Sequence, residues 1–213
     1  MKGLGTLKTL LAAGALAVSA GAVSASTLVP TDPPGCDPDS FTVGTYGMPC
    51  EGIFVNNFPN PGTQVGNDSA DITMDTVLFG ISGWREIVKV DLPQGWTGAE
   101  TSNTGNGITL TVNDAGGGET SGTWSIDAWP SFPNIMVALK GGPTFSVFKV
   151  DISKGLSGTW NTDSLLKGSG AIGPDLSHMT VWAQIPLPAA GWLLLGGLGA
   201  LGAVARRKRR KAA

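Results

Sequence analysis

The sequence predicts an all-β fold: a single antiparallel β-sandwich or jelly-roll-like domain, flanked by an N-terminal signal peptide and a C-terminal transmembrane helix. Within residues 51–184, short runs alternate apolar and polar side chains, as strands with one buried face do. Turn signals rich in Gly, Asn and Asp separate these runs at 66–68, 103–107 and 113–118. This region shows no helical period. Roughly eight or nine short strands at such spacing are typical of a sandwich or jelly roll.

The strand candidates can be placed individually because their apolar residues recur with a period of two. Ile108, Leu110 and Val112 share one predicted face of a strand, and the threonines between them share the other. The tetrapeptide Ser-Gly-Thr-Trp occurs at 121–124 and at 157–160. Its flanks differ, so we interpret both copies as strands entered from a turn. The further candidates are residues 75–82, 84–90, 124–128, 135–139, 145–147, 157–161 and 178–183.

The N-terminus has the features of a secretory signal peptide over residues 1–25. Lys2 and Lys8 provide a positive start, and residues 10–22 are apolar and small. Val23-Ser24-Ala25 fits the small-x-small cleavage pattern, so we expect signal peptidase to cut after Ala25. The alternative is an Ala-rich, disordered start to a cytosolic protein. Residues 26–50 follow as a leader rich in Pro and Gly, and residues 51–184 are the predicted sandwich domain.

Residues 185–213 combine a Pro-containing motif, an apolar run and a basic terminus. The apolar run at 189–205 would span about 25 Å as a helix, near the lower limit for a bilayer core of roughly 30 Å. The basic residues after it should stay in the cytoplasm, which places the preceding domain outside. The motif consists of Ile185, Pro186, Leu187, Pro188 and Ala189, and the basic cluster of Arg206, Arg207, Lys208, Arg209, Arg210 and Lys211.

These three parts in this order resemble the C-terminal sorting signals of the PEP-CTERM/exosortase type. The most similar variant is named for Val-Pro-Leu-Pro-Ala, and this chain has Ile185 at the position of the Val. The resemblance implies export through the inner membrane of a Gram-negative bacterium, at least transient anchoring there, and a final place at the cell surface or outside the cell. It also implies that an exosortase-like membrane protease recognises the segment. A plain membrane anchor is the alternative.

The charge distribution argues against nucleic acid as a partner. Of the 14 Lys and Arg residues, two lie in the predicted signal and six in the basic terminus. The remaining six stand against all 16 acidic residues, so residues 26–184 carry a net charge of −10. Such a surface repels nucleic acids and anionic lipid headgroups.

Cys36 and Cys50 are the two cysteines of the chain, and in an exported protein an even number favours a disulfide. The bond would close a short loop in the leader and contribute about 3 kcal/mol in the chain-entropy view. A metal site is the alternative, but no other Cys or His lies nearby in sequence to complete it.

The sequence gives no motif for catalysis, and we predict a protein that is not an enzyme and has no cofactor. His178 is the sole histidine and lies in a strand-like run, which favours a structural or exposed strand residue. There is no Gly-x-Ser-x-Gly elbow, phosphate loop or zincin helix. A pair of carboxylates for glycoside hydrolysis could lie among the acidic residues, but sequence alone does not locate one.

Two kinds of binding site remain as hypotheses. Asp68, Asp71 and Asp75 are close in sequence and could offer oxygen ligands to Ca²⁺, although their spacing differs from an EF-hand. We predict no metal site, because solvated acids are the usual explanation. Trp96 and Trp129 lie in Gly- and Pro-containing loops, where an exposed indole could stack on a sugar ring.

The resemblance to exported proteins with such sorting signals implies a non-enzymatic role at the cell surface or in the extracellular matrix, in association with exopolysaccharide. One alternative is a secreted hydrolase that acts on polysaccharide. Another is a lectin-like module that binds glycans. A tail-anchored structural protein without a ligand is the remaining hypothesis.

Overall fold

The structure of the protein is a computed structural model, which describes residues 29–30, 35–55, 68–93, 96, 100–114, 119–167 and 169–186. The predicted signal peptide and the apolar and basic parts of the C-terminal segment lie outside these residues. Of the Pro-containing motif, Ile185 and Pro186 are described. Among the residues that are described, no helix has the length and apolar character needed to cross a bilayer.

The described residues form twelve strands and one short α-helix, α1, at Asp68–Asp71. Two turns of 3-10 helix occur at Pro38–Ser40 and Ile152–Lys154. The strands are β1 Val29–Pro30, β2 Thr42–Val43, β3 Tyr46–Gly47, β4 Cys50–Val55, β5 Trp84–Asp91, β6 Thr101–Gly105, β7 Ile108–Asp114, β8 Ser121–Ile126, β9 Ile135–Gly141, β10 Thr144–Lys149, β11 Ser157–Asn161 and β12 Leu176–Gln184.

The strands form three antiparallel sheets, which confirms the predicted all-β fold. The largest sheet has the order β1-β4-β10-β9-β12-β5, the second has the order β11-β8-β7-β6, and β2 pairs with β3. Every strand pair is antiparallel. The predicted strands at 84–90 and 157–161 correspond to β5 and β11.

The two larger sheets share one apolar core. In β7, buried residues alternate with partly exposed ones, as the period of two predicts. Ile108, Leu110 and Val112 belong to the same buried cluster as Val137 and Leu139 of β9. This arrangement of two sheets around a common core is consistent with a β-sandwich.

The opposite, outer face of the six-stranded sheet is covered by residues 68–83. Ile72 and Leu78 of this segment form a second buried cluster with sheet residues that include Phe145 and Trp182. As a consequence, both faces of β9 are buried along its whole length. Its side chains alternate between the two faces of the sheet, but they do not alternate between buried and exposed positions.

The strand predicted at 75–82 is wrong. After α1 the chain makes turns, and Phe79 and Gly80 both have positive φ values, of 53° and 70°. This turn places Leu78 and Ile81 in a single antiparallel bridge rather than in a strand of a sheet. The apolar residues of this segment therefore cover the sheet instead of joining it.

The two copies of Ser-Gly-Thr-Trp lie on neighbouring strands and pair with each other. In the register of β8 and β11, Trp124 is opposite Gly158 and Trp160 is opposite Gly122. Each indole therefore lies across from a glycine of the other copy, an arrangement that compensates for the missing side chain.

These glycines are required by the close approach of a neighbouring backbone. A Cβ atom on Gly158 would lie 1.9 Å from the Thr42 carbonyl oxygen, and that oxygen accepts a 2.9 Å hydrogen bond from Trp124 Nε1. The same arrangement occurs at Gly122. The Asn113 carbonyl oxygen lies next to this glycine and accepts a hydrogen bond from Trp160 Nε1. The repeat thus has a packing role.

Part of the predicted leader belongs to the core. Phe41 and Val43 are fully buried, and the Phe41 ring stacks on Trp124 with centroids 4.9 Å apart. The predicted disulfide between Cys36 and Cys50 is confirmed, with the two Cα atoms 6.1 Å apart. It ties the beginning of this segment to β4 of the large sheet.

Two asparagine side chains, one from β6 and one from the turn that follows it, donate hydrogen bonds to backbone carbonyl groups of the edge strand β5. Asn103 Nδ2 donates a 2.7 Å hydrogen bond to the Lys89 carbonyl oxygen, and Asn106 Nδ2 donates one of 2.7 Å to the Ile87 carbonyl oxygen. Asn106 and Gly107 both have positive φ, as the tight hairpin between β6 and β7 requires. The hairpin therefore lies directly against β5.

Candidate functional site

A groove of about 400 Å³ opens where β5 meets the β6–β7 hairpin. The connection from β8 to β9 forms one wall, and the residue that follows β12 forms part of another. We call it the Trp129 groove. Its described lining consists of Arg85, Ile87, Asn106, Ile108, Trp129, Pro130, Ser131, Phe132 and Ile185.

Two aromatic side chains of the β8–β9 connection, Trp129 and Phe132, line the groove. Both are partly buried and pack against the main core. Trp129 is held in place because its Nε1 donates a 2.7 Å hydrogen bond to the Gly155 carbonyl oxygen and its ring lies 5.6 Å from that of Trp124. The groove thus has an aromatic side chain of fixed orientation, a common feature of sites for flat apolar ligand faces.

Polar groups line the other side of the groove. Arg85 is exposed at the start of β5, and its position is set by pairing with Ala183 of β12. None of the ion pairs among the described residues includes Arg85. Ser131 is also exposed, and the amide of Asn106 contributes a further polar group.

A second groove of about 480 Å³ lies on the other side of Arg85 and Ile185. Its tryptophans, Trp84 and Trp182, are almost fully buried, at 1% and 3% exposure, so their faces are not available to a ligand. It also contains Glu86, which already accepts a hydrogen bond from Ser69. The Trp129 groove is therefore the better candidate for ligand binding.

The predicted glycan contacts have different positions in the structure. Trp129 lines the groove, but Trp96 is only 4% exposed and belongs to the main core. The expectation that Trp96 is exposed is therefore wrong, and its backbone N–H donates a hydrogen bond to the Pro93 carbonyl oxygen. A loop-like sequence did not indicate this burial.

The proposed calcium ligands are not brought together. Asp68 is fully buried and Asp71 is 5% exposed, whereas Asp75 lies exposed in the following turn. Among the residues that the structure describes, no group of three or more His, Cys, Asp or Glu side chains could hold a metal ion.

Asp68 instead contacts the histidine. His178 Nε2 lies against Asp68 Oδ1 in a buried contact, and His178 Nδ1 lies 3.7 Å from Asp91 Oδ1. The sheet register explains the cluster, because His178 on β12 lies between Asp91 on β5 and Lys140 on β9. Lys140 is 5% exposed, and its Nζ donates to the Gly142 carbonyl oxygen. We call Asp68, Asp91, Lys140 and His178 the outer-face cluster.

Burial by itself would raise the pKa of Asp68, because it removes water from the carboxylate. The hydrogen bond and the charge of His178 outweigh this effect, with smaller contributions from Thr180 and Lys89, so the pKa lies below its ordinary value. Burial lowers the pKa of Lys140, and the charge of Asp68 partly opposes that effect. Because both ring nitrogens of His178 face carboxylates and neither groove includes it, the cluster is suited to holding α1 on the sheet.

The pKa of Glu119, a partly exposed residue, is also perturbed. Limited desolvation and the neighbouring carboxylates of Asp175 and Asp114 raise the pKa of Glu119. None of these three residues is part of the described lining of either groove. The pair of Glu119 and Asp175 therefore does not by itself favour hydrolysis.

No protein-family model matches this sequence, and no curated protein or solved structure is significantly similar to it. Sequence reasoning found Trp129 but missed Arg85, Asn106 and Phe132. The Asn-Gly pair at 106–107 was a signal for the hairpin, but only the fold brings this hairpin to β5.

Proposed function

We propose that the protein is an exported module of the cell surface or extracellular matrix, without enzymatic activity, that binds polysaccharide in the Trp129 groove. Residues 1–25 are its signal peptide, and residues 185–213 are a sorting signal with a transmembrane helix, recognised by an exosortase-like protease. The intervening chain is a single sandwich or jelly-roll-like domain. It is anchored in the inner membrane at least transiently and acts outside the cytoplasm.

The observation that carries the binding proposal is the combination of a fixed aromatic side chain and polar groups in one groove. Sugar rings have apolar faces that stack on indoles and hydroxyl groups at their edges that need hydrogen bonds. Trp129 and Phe132 supply the first kind of contact, and Arg85, Asn106 and Ser131 supply the second. This composition also favours a lectin-like site over a site for a purely apolar ligand.

The disulfide supports export, because such bonds persist in oxidising compartments outside the cytoplasm. Intact-mass analysis of the native protein after cell fractionation tests this part. A chain that begins at Ser26 and ends within 186–189 would support signal cleavage and sorting. A chain recovered from the cytosol with Met1 and Lys211 both retained would overturn the export proposal.

The binding proposal is tested with full-length protein on a panel of bacterial and plant glycans, together with an assay for released reducing ends. We expect binding without release, and we expect Trp129→Ala to abolish it while circular dichroism shows the fold retained. Tyr46→Ala is the matched control, since Tyr46 is an aromatic residue that is 57% exposed and outside the described lining of the groove. Release of reducing ends would instead support the hydrolase alternative.

A further inference from the structure

We infer that the glycan bound in the Trp129 groove carries carboxylate groups, as uronate residues do, and that Arg85 is the residue that recognises them. This inference rests on the proposed function, since it names the class of ligand for the same groove. It follows from the charge of the groove relative to the rest of the domain.

The charge of the groove is opposite to that of the domain. Residues 26–184 have a net charge of −10, yet the described lining of the groove contains one cation, Arg85, and no acidic residue. A guanidinium group at the edge of an aromatic groove, without an acidic residue in the described lining, favours an anionic group on the ligand.

Of the five other cations in residues 26–184, three have an ion-pair partner or are buried. Lys89 Nζ lies 2.9 Å from Asp91 Oδ1, and Lys154 Nζ lies 3.8 Å from Asp151 Oδ2 and above the ring of Tyr46. Lys140 is buried in the outer-face cluster. Arg85, Lys149 and Lys167 take part in none of the described ion pairs. Of these three, Arg85 is the one in the described lining of the Trp129 groove, where it is exposed.

The geometry suits a carboxylate in particular. A guanidinium presents two parallel N–H groups that match the two oxygens of a carboxylate. With one sugar ring stacked on Trp129, its edge substituent would face the polar side formed by Arg85 and Ser131. A uronate places its carboxylate at the ring edge, where a neutral hexose has a hydroxymethyl group.

The surrounding charge limits which acidic glycans fit. A dense polyanion that extends beyond the groove would be repelled by the net charge of −10 of residues 26–184, because charges within a Debye length of about 8 Å at physiological ionic strength still interact. A glycan with isolated uronates among neutral sugars gains the contact with Arg85 without this repulsion. We therefore assign the groove to a sparsely acidic polysaccharide.

Isothermal titration calorimetry with full-length protein tests this assignment. The probes are a xylo-oligosaccharide with a single glucuronate branch and the same oligosaccharide after carboxyl reduction. We expect the acidic probe to bind about tenfold more tightly, the effect of one good charged contact. Arg85→Gln should remove this difference, and Lys167→Gln, which removes an exposed charge outside the described lining of the groove, should preserve it.

The outcomes separate the two proposals. Equal binding of both probes by the unmodified protein, weakened by Trp129→Ala but not by Arg85→Gln, would overturn the uronate assignment and leave the glycan-binding function standing. Absence of binding to these probes and to every glycan of the panel would overturn the function itself. If Arg85→Gln does not fold, Arg85→Lys provides the test, because it keeps the charge but loses the two-pronged contact and should lose most of the preference.

Discussion

The two faces of the six-stranded sheet are stabilised in different ways. The inner face packs on the four-stranded sheet through apolar side chains such as Val137, Leu139 and Val181. The outer face has aromatic packing near Trp182, and it has the charged outer-face cluster near His178. Both faces are largely buried, and the buried ionisable side chains of the described residues, which are Asp68, Asp71, Lys140 and His178, belong to the outer face and the segment that covers it.

The stability of the inner face therefore depends on the volume of its apolar side chains, whereas that of the outer face also depends on the pairing of its charged groups. A dry apolar face loses stability in proportion to the cavity that a substitution creates. A buried charge depends on its partner, because an unpaired charge in a dry site is far more costly than the pair. Substitutions on the two faces should therefore respond differently to pH.

The largest effect is expected from His178→Ala. At pH 7 it should lower the free energy of unfolding by about 3–5 kcal/mol, because it leaves the Asp68 carboxylate buried without its main partner. The measurement is denaturant unfolding at pH 7 and at pH 4.5. The loss should be smaller at pH 4.5, where Asp68 of the variant can bind a proton, and a loss that is equal at both values would contradict this account.

Leu139→Ala is the corresponding change on the inner face, where a cavity should cost about 2–5 kcal/mol. No charge is uncovered, so we expect the same loss of unfolding free energy at both pH values. Leu156→Ala serves as the control, because Leu156 is 46% exposed and should lose little. A strong dependence of the Leu139→Ala loss on pH would show that the two faces are not independent.

The smallest of the three effects is expected from Asp68→Asn, which keeps the shape of the side chain and removes its charge. At pH 7 the loss should be about 1.5–3 kcal/mol, the contribution of a hydrogen bond to a charged group. Because the pKa of Asp68 is lowered by folding, its contribution is present above the ordinary Asp value of about 3.9 and is lost as the pH falls through the folded value.

Thermal unfolding followed by circular dichroism from pH 7 to pH 2 measures this dependence. Below pH 4, the melting temperature of Asp68→Asn should change less with pH than that of the unmodified protein. Asp75→Asn, at an exposed carboxyl seven residues later, should leave the profile unchanged. Parallel profiles for the unmodified protein and Asp68→Asn would disprove the role assigned to the buried carboxylate.

The sequence predicted best those strands that have one face in the core. The alternation in β7 corresponds directly to the buried positions Ile108, Leu110 and Val112. The cover of the outer face could not be read from local pattern, because the apolar residues at 77–81 resemble a strand. Their role depends on contacts with strands that come much later in the chain.

The candidate site was less predictable than the fold. Trp129 was found from its loop composition, but the same reasoning placed Trp96 at the surface, where the structure has it buried. Asp68 and His178 are 110 residues apart, and neither has a local signal that identifies the other. Arg85 is notable only because the fold brings it to an aromatic wall, where it takes part in none of the described ion pairs.

The side-chain amides of Asn103 and Asn106 have a consequence for how copies of this domain meet one another. An unprotected edge strand can recruit an identical strand from another molecule and so begin a fibre. Along β5, the carbonyl groups of Ile87 and Lys89 are already occupied from within the same chain. A second copy of the domain therefore finds these two acceptors of the edge already in use, and a strand added there would have to displace both asparagine side chains.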